Sequence, residues 1–235
     1  MKKRTVVTLS IVAGVVVLGS VAAVAGPIVY RDLIVGEADA APTVTAAPTS
    51  TDAATDAAVD PADLSGSWVV ADGSFAGYRV DEVLNGTDVT VTGRTDDVTG
   101  SLTVDGLTLT EAEFTVDVGS IATDEGARDA YFRDNALRVS QYPTATFVLT
   151  DTVTATAPPV VGEVQVISAT GDLTIAGVTR TVTFELQAVL NNSDGQVAGS
   201  IPITFADFGV VAPNLGFVSV EPEGFIEFSL VIRPA

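Results

Sequence analysis

Arg128, Arg133 and Arg138 fall within eleven residues of a chain that is otherwise poor in cations. Guanidinium groups this close together suit an anionic head group, held by charge-assisted hydrogen bonds. Asp124, Glu125, Asp129 and Asp134 surround them, so weak surface pairing is the alternative that the spacing leaves open. Tyr131, Phe132, Tyr142 and Phe147 cluster with the same stretch, while Trp68, Tyr78, Phe114, Phe184, Phe205 and Phe208 fall in or beside extended runs. Any single one of these rings reads first as core filling. Taken together they would line an apolar cavity, and periodicity does not separate the two cases.

Other chemistry is narrowed by what the chain lacks. It has no Cys and no His. Disulfides, thiol nucleophiles, imidazole acid/base steps and thiolate or imidazole metal sites are therefore excluded. Ser74 and the other hydroxyls have no histidine to activate them, and Lys2 and Lys3 precede the first apolar run. Asp81-Glu82, Asp96-Asp97 and Glu111-x-Glu113 bring carboxylates together, as glycoside hydrolysis or calcium binding would need. Adjacent residues of a strand face opposite ways, however, so Asp96 and Asp97 would not converge if extended. No catalytic residue, metal or cofactor is assigned. The formal net charge of −19 argues against nucleic acid, whose phosphates require a basic surface.

These side chains must be positioned by strands. Gly171 to Phe184 shows how. Leu173 and Ile175 alternate with Asp172 and Thr174. Ala176-Gly177 supplies a tight turn, and Val178, Arg180, Val182 and Phe184 resume in opposite phase to Thr179, Thr181 and Thr183. This is a β-hairpin with one apolar and one polar face. Similar runs lie near Gly66–Ala71, Phe75–Leu84, Asp88–Gly93, Asp97–Asp105, Leu107–Val118, Thr144–Asp151, Val164–Ile175, Val178–Leu190, Gln196–Phe205 and Gly224–Ile232, separated by turn formers such as Asn85-Gly86 and Asp105-Gly106. The pattern predicts an all-β antiparallel sandwich or barrel. Thr123–Leu137 breaks it. Ala127, Ala130, Tyr131 and Asp134 share one helical stripe, so a helix broken near Asp134-Asn135 is expected there.

Three regions follow. Residues 1–35 carry Lys2-Lys3-Arg4 and then 26 charge-free residues, Thr5 to Tyr30. As a helix this run would reach about 39 Å, longer than a hydrocarbon core of roughly 30 Å. The reading is a transmembrane anchor with the amino end cytoplasmic and the rest extracytoplasmic. A cleaved signal peptide ending at Ala23-Val24-Ala25, giving a secreted protein, is the rival. Residues 36–63, rich in Ala, Thr, Pro and Asp, read as a disordered linker. Residues 64–235 form one domain with seven arginines, no lysine and 23 acidic residues, a balance of −16.

The domain also resembles a known family. Gly171-Asp-Leu-Thr-Ile-x-Gly-Val-Thr-Arg-x-Val-Thr-Phe184 is similar to the signature hairpin of YceI-like proteins. Arg128-Asp129-x-Tyr-Phe followed by Tyr142-Pro-Thr-Ala-Thr-Phe147 resembles their helical crossover, Asp207-Phe208-Gly209 a motif near the carboxyl end, and Trp68 with Ser74, Gly77 and Tyr78 their opening strand. The resemblance implies an eight-stranded antiparallel lipocalin-like barrel with a short helical crossover. It further implies an apolar tunnel for a long isoprenoid chain, a polyprenyl or quinone-type lipid, with no established chemistry. Family members often carry histidines in the opening strand and beside the crossover arginine. Here Asp81 or Glu82, and Tyr131, stand in those places.

The expectation is therefore an exported, membrane-tethered lipid-binding protein and not an enzyme. Its tunnel and mouth would be formed by Trp68, Tyr78, Phe114, Arg128, Tyr131, Phe132, Arg133, Tyr142, Phe147, Phe184 and Phe208, with Arg128, Tyr131, Arg133 and Tyr142 at the mouth. The alternative is a cell-envelope structural or protein-interaction domain with a filled core. The sequence leaves the oligomeric state open, a dimer included.

Overall fold

The β-branched, alternating runs become ten strands in a computed structural model that describes residues 38–46, 58–191 and 194–235. They are β1 (Gly66–Leu84), β2 (Thr87–Thr95), β3 (Val98–Asp105), β4 (Thr108–Asp117), β5 (Thr144–Leu149), β6 (Val153–Thr154), β7 (Val164–Ile175), β8 (Val178–Leu190), β9 (Gly195–Thr204) and β10 (Val218–Pro234). All pairings are antiparallel, and the order β10-β9-β8-β7-β5-β4-β3-β1 is closed by β1 against β10. β2 and β3 share one edge of β1, as two halves of a single stave broken at Asp96-Asp97. β6 adds two residues beside β4. The result is a closed eight-stranded antiparallel barrel, in which β2, among the described residues, keeps one edge unpaired apart from the bridge of Arg94 to Ala122.

The runs Gly66–Ala71 and Phe75–Leu84 are one strand, with a register shift against β10 between Ala71 and Phe75. Ser74 holds this bulge. Its hydroxyl donates to Ala71 O at 2.7 Å and accepts from Val231 N–H at 2.9 Å, so a buried polar side chain is satisfied.

The β7–β8 hairpin has the bounds that its alternation predicts. Ala176 and Gly177 take φ of 50° and 78°, as a two-residue turn with both central residues left-handed requires. Leu173, Ile175 and Phe184 are buried inside, while hydroxyl pairs Thr170–Thr183 at 2.9 Å and Thr174–Thr179 at 2.8 Å lie outside. Arg180 shares the inner phase yet is exposed. The β8–β9 ladder stops at Leu186↔Gly199, and that end of β8 splays from β9. The 3₁₀ turn Phe205–Phe208 fills the wedge, with Phe208 buried.

The crossover between β4 and β5 holds α2 (Gly126–Tyr131), capped by the Glu125 carboxylate on Ala127 N–H at 3.2 Å. A wider π-type turn, Phe132–Ala136, follows directly, so the helix changes pitch after Tyr131 instead of breaking at Asp134-Asn135. A shorter helix, α1 (Pro61–Leu64), precedes β1, and Asp60 caps it by accepting from Ala62 N–H.

The charge-free run read as an anchor lies outside the described residues. Among those described, no helix is long and apolar enough to cross a membrane. Residues 38–46, expected as linker, lie extended on the barrel wall. Arg79 and Arg94 donate to Asp39 O and Ala40 O, and Gln187 and Gln196 accept from Val44 N–H and Thr45 N–H. Side chains of the outer wall thus pair with backbone groups that composition alone assigns to water.

Candidate ligand cavity

The inward side chains do not meet across the axis everywhere. A cavity of about 160 Å³ occupies the end of the barrel nearest the crossover. A second, of about 130 Å³, lies deeper. Both are bounded by Ala76, Val116, Ala145, Leu173 and Ile226, so they abut along the axis. Small side chains at positions 76 and 145 leave this space where larger ones would fill it.

Mouth and floor differ in chemistry. At the mouth, β1 turns Tyr78, Val80 and Glu82 inward, α2 and the π turn bring Arg128, Tyr131 and Phe132 over them, and the loop after β9 adds Val210 to Pro213. Tyr78 and Phe132 stack with ring centroids 4.9 Å apart and planes 19° apart. Gly93 makes room for the Tyr78 ring, since a Cβ there would come within 2.5 Å of it. In the deeper cavity the wall is apolar apart from Thr146, with Phe147 edge-on to Phe184 at 5.6 Å and Phe184 edge-on to Phe228 at 5.9 Å. Beyond it, Trp68 packs with Leu102 and Ala112 and closes the far end; its indole N–H donates to Leu64 O at 3.1 Å.

Two carboxylates pair with Arg128 at the mouth. Glu82 is only 5% exposed, and its Oε1 accepts from Arg128 Nη2 at 3.2 Å. Asp124 accepts from Arg128 Nη1 at 2.7 Å. Burial disfavours the Arg128 charge, but the carboxylates of Glu82 and Asp124 outweigh it and hold the guanidinium above its ordinary value. Burial pushes the Tyr78 phenol up, with Arg128 opposing and Asp129, Glu82 and Asp124 adding to the rise.

Tyr78, Arg128, Tyr131, Phe132 and Phe208 line the mouth cavity, and Phe114, Phe147 and Phe184 line the deeper one. Trp68 stands behind the floor. Arg133 and Tyr142 line neither cavity. Tyr142 instead lies over the β7–β8 turn, where a Cβ on Gly177 would come within 2.4 Å of its ring, and Arg138 covers it at 5.1 Å. Of the two carboxylates standing where histidines are expected, Glu82 turns inward, while Asp81 faces out and accepts from the Thr90 hydroxyl at 2.6 Å. The loop Val210–Pro213 carries no motif that marks it as part of the mouth. Among the described residues no three carboxylates come together as a cation site.

A closed eight-stranded barrel with a hollow, apolar interior and a buried Glu82–Arg128 pair at its mouth is a lipocalin-like barrel. Residues 68–232 match the YceI-like domain, and the chain belongs to that family. Among solved structures, a polyisoprenoid binding domain from Saccharophagus degradans implicated in plant cell wall breakdown is 22% identical, with a TM-score of 0.58 over 73% of this chain and 99% of that one. BcnA of Burkholderia cenocepacia is 24% identical, with a TM-score of 0.53 over 74% of this chain and 98% of that one. Both share the fold. No curated protein matches the chain.

Proposed function

We propose that this protein holds the hydrocarbon chain of an isoprenoid lipid, of polyprenyl or quinone type, in its barrel, as an exported protein tethered to a membrane through Thr5–Tyr30. The observation that carries this reading is the pair of abutting apolar cavities under a mouth that bears Glu82 and Arg128. Membership of the YceI-like family and the barrel shared with a polyisoprenoid binding domain support it. Each buried CH₂ contributes about 0.8 kcal/mol, so a chain of tens of carbons has ample gross driving force even after ordering and association costs. The lipid's polar end stays near Arg128 and Tyr131, and its tail runs toward Phe147 and Phe184. The reading includes no bond-making step.

Purified full-length protein, extracted with organic solvent and analysed by mass spectrometry, is expected to release an isoprenoid lipid. Lipid-free extracts, together with no uptake of added polyprenyl compounds, would overturn the proposal.

A further inference from the structure

The loop between β9 and β10 presents Val211, Leu215 and Phe217 to solvent, at 78%, 52% and 58% exposure. These large apolar side chains belong to the same loop as Val210–Pro213, which borders the mouth cavity, so exposed lip and apolar interior are continuous. The loop is held in place. Phe217 O accepts from Asn85 N–H at 2.7 Å, Val218 O from Leu215 N–H at 2.9 Å, and Pro213 O from Val220 N–H at 3.0 Å. Large apolar side chains exposed on one loop beside an apolar cavity mark a contact surface.

The path of the chain says what covers it. Ala38 and Asp39 lie beside Thr90, Thr92 and Asp124, at the mouth end of β1 and β2. Val44 and Thr45 lie against Gln187 and Gln196, and Gln196 pairs opposite Val231, well toward the closed end. Traced backward, the chain therefore leaves the barrel at its mouth. Only Arg31–Glu37 separate Ala38 from the charge-free run that ends at Tyr30. Even fully extended, that interval spans at most about 28 Å.

We infer that Val211, Leu215 and Phe217 dock the mouth of the barrel onto the bilayer that holds the chain's own anchor, so that the cavity opens directly onto lipid. This rests on the anchor reading above. With a domain balance of −16, the contact is apolar and favours a zwitterionic surface over an anionic one.

The absence of native cysteine allows a single reporter. Leu215→Cys and Val166→Cys are each labelled with an environment-sensitive fluorophore, Val166 being 65% exposed on β7 at the closed end. Full-length protein is reconstituted into phosphatidylcholine vesicles containing brominated phosphatidylcholine and recovered by flotation. The expected result is co-flotation with quenching at least roughly twofold stronger at position 215 than at 166, as insertion to interfacial depth requires. Co-flotation with equal quenching at both positions overturns the docking and leaves the anchor standing. Failure to co-float overturns anchor and docking together. A label at 215 that is shielded but unquenched, in a protein that sediments as a dimer, assigns the lip to a second copy and overturns the docking too.

Discussion

Arg128 Nη2 donates to Glu82 Oε1 at 3.2 Å and so ties the crossover helix to β1 across the mouth of the barrel. The carboxylate is almost fully buried, whereas the guanidinium keeps a fifth of its surface in contact with water. Removing one partner of a fully buried pair costs about 3–5 kcal/mol, because the other charge is left without compensation. Arg128→Met is therefore expected to destabilise the barrel by about 2–3 kcal/mol, discounted for that exposure. Glu82→Leu/Arg128→Leu should recover most of the loss, since a well-packed apolar pair leaves no buried charge. Urea unfolding of the single and double variants measures both, and an unchanged midpoint for Arg128→Met would show that the pair holds nothing together.

Tyr78 gives the barrel a signature in alkali. Burial raises its phenol above the ordinary tyrosine value near 10, so the unfolded chain ionises first. Its contribution to stability is present in full below that unfolded value and is lost as pH climbs from there through the higher folded one. Between pH 10 and 11.5 the slope from this residue rises from about 0.7 toward about 1.4 kcal/mol per pH unit. Tyr78→Phe should flatten the curve by that amount. Absorbance titration of the folded protein, which has four tyrosines, should leave one unionised over the same window.

Ala76 borders both cavities and is the place to block them. Ala76→Phe puts a ring into existing space, so its folding cost stays within the roughly 1–3 kcal/mol of an overpacked core. The circular dichroism spectrum should remain that of the barrel while extracted lipid falls to background. A variant that retains its lipid would place the guest elsewhere.

Glu227 is the most buried carboxylate of the outer wall, 1% exposed, between Arg79 at 2.6 Å and Arg94 at 3.7 Å. Arg94 also lies 4.5 Å over the Phe75 ring and contacts Asp39 at 3.1 Å. Glu227→Ala leaves two guanidinium groups facing each other and is expected to cost about 3 kcal/mol or more. Asp39→Ala removes an exposed partner and should cost about 1 kcal/mol or less. Comparable losses in thermal unfolding would mean that the 38–40 segment, and not the strand-borne cluster, supplies the stability.

Much of this arrangement is local and was legible. Period-2 alternation and the Ala176-Gly177 turn place β7 and β8 to the residue, because side-chain phase and turn geometry are decided over a few neighbours. The crossover helix was legible from its stripe and its acidic start. The absence of Cys and His, the acidic balance and the family motifs delimit the chemistry independently of the fold. Closure of β1 on β10, however, joins residues more than 130 positions apart, and nothing local encodes it. The same holds for Glu82 and Arg128, 46 positions apart, for the Val210–Pro213 rim, and for the docking of residues 38–46 on arginines and glutamines of the wall. Tyr142 and Arg133 share the composition of the mouth residues, yet only the three-dimensional path of the crossover takes them away from the cavities. Sequence alone determined the strands, the turn chemistry and the exclusion of thiol and imidazole chemistry. Tertiary structure decided which rings face the axis and whether space remains between them, because packing depends on residues brought together only when the barrel closes.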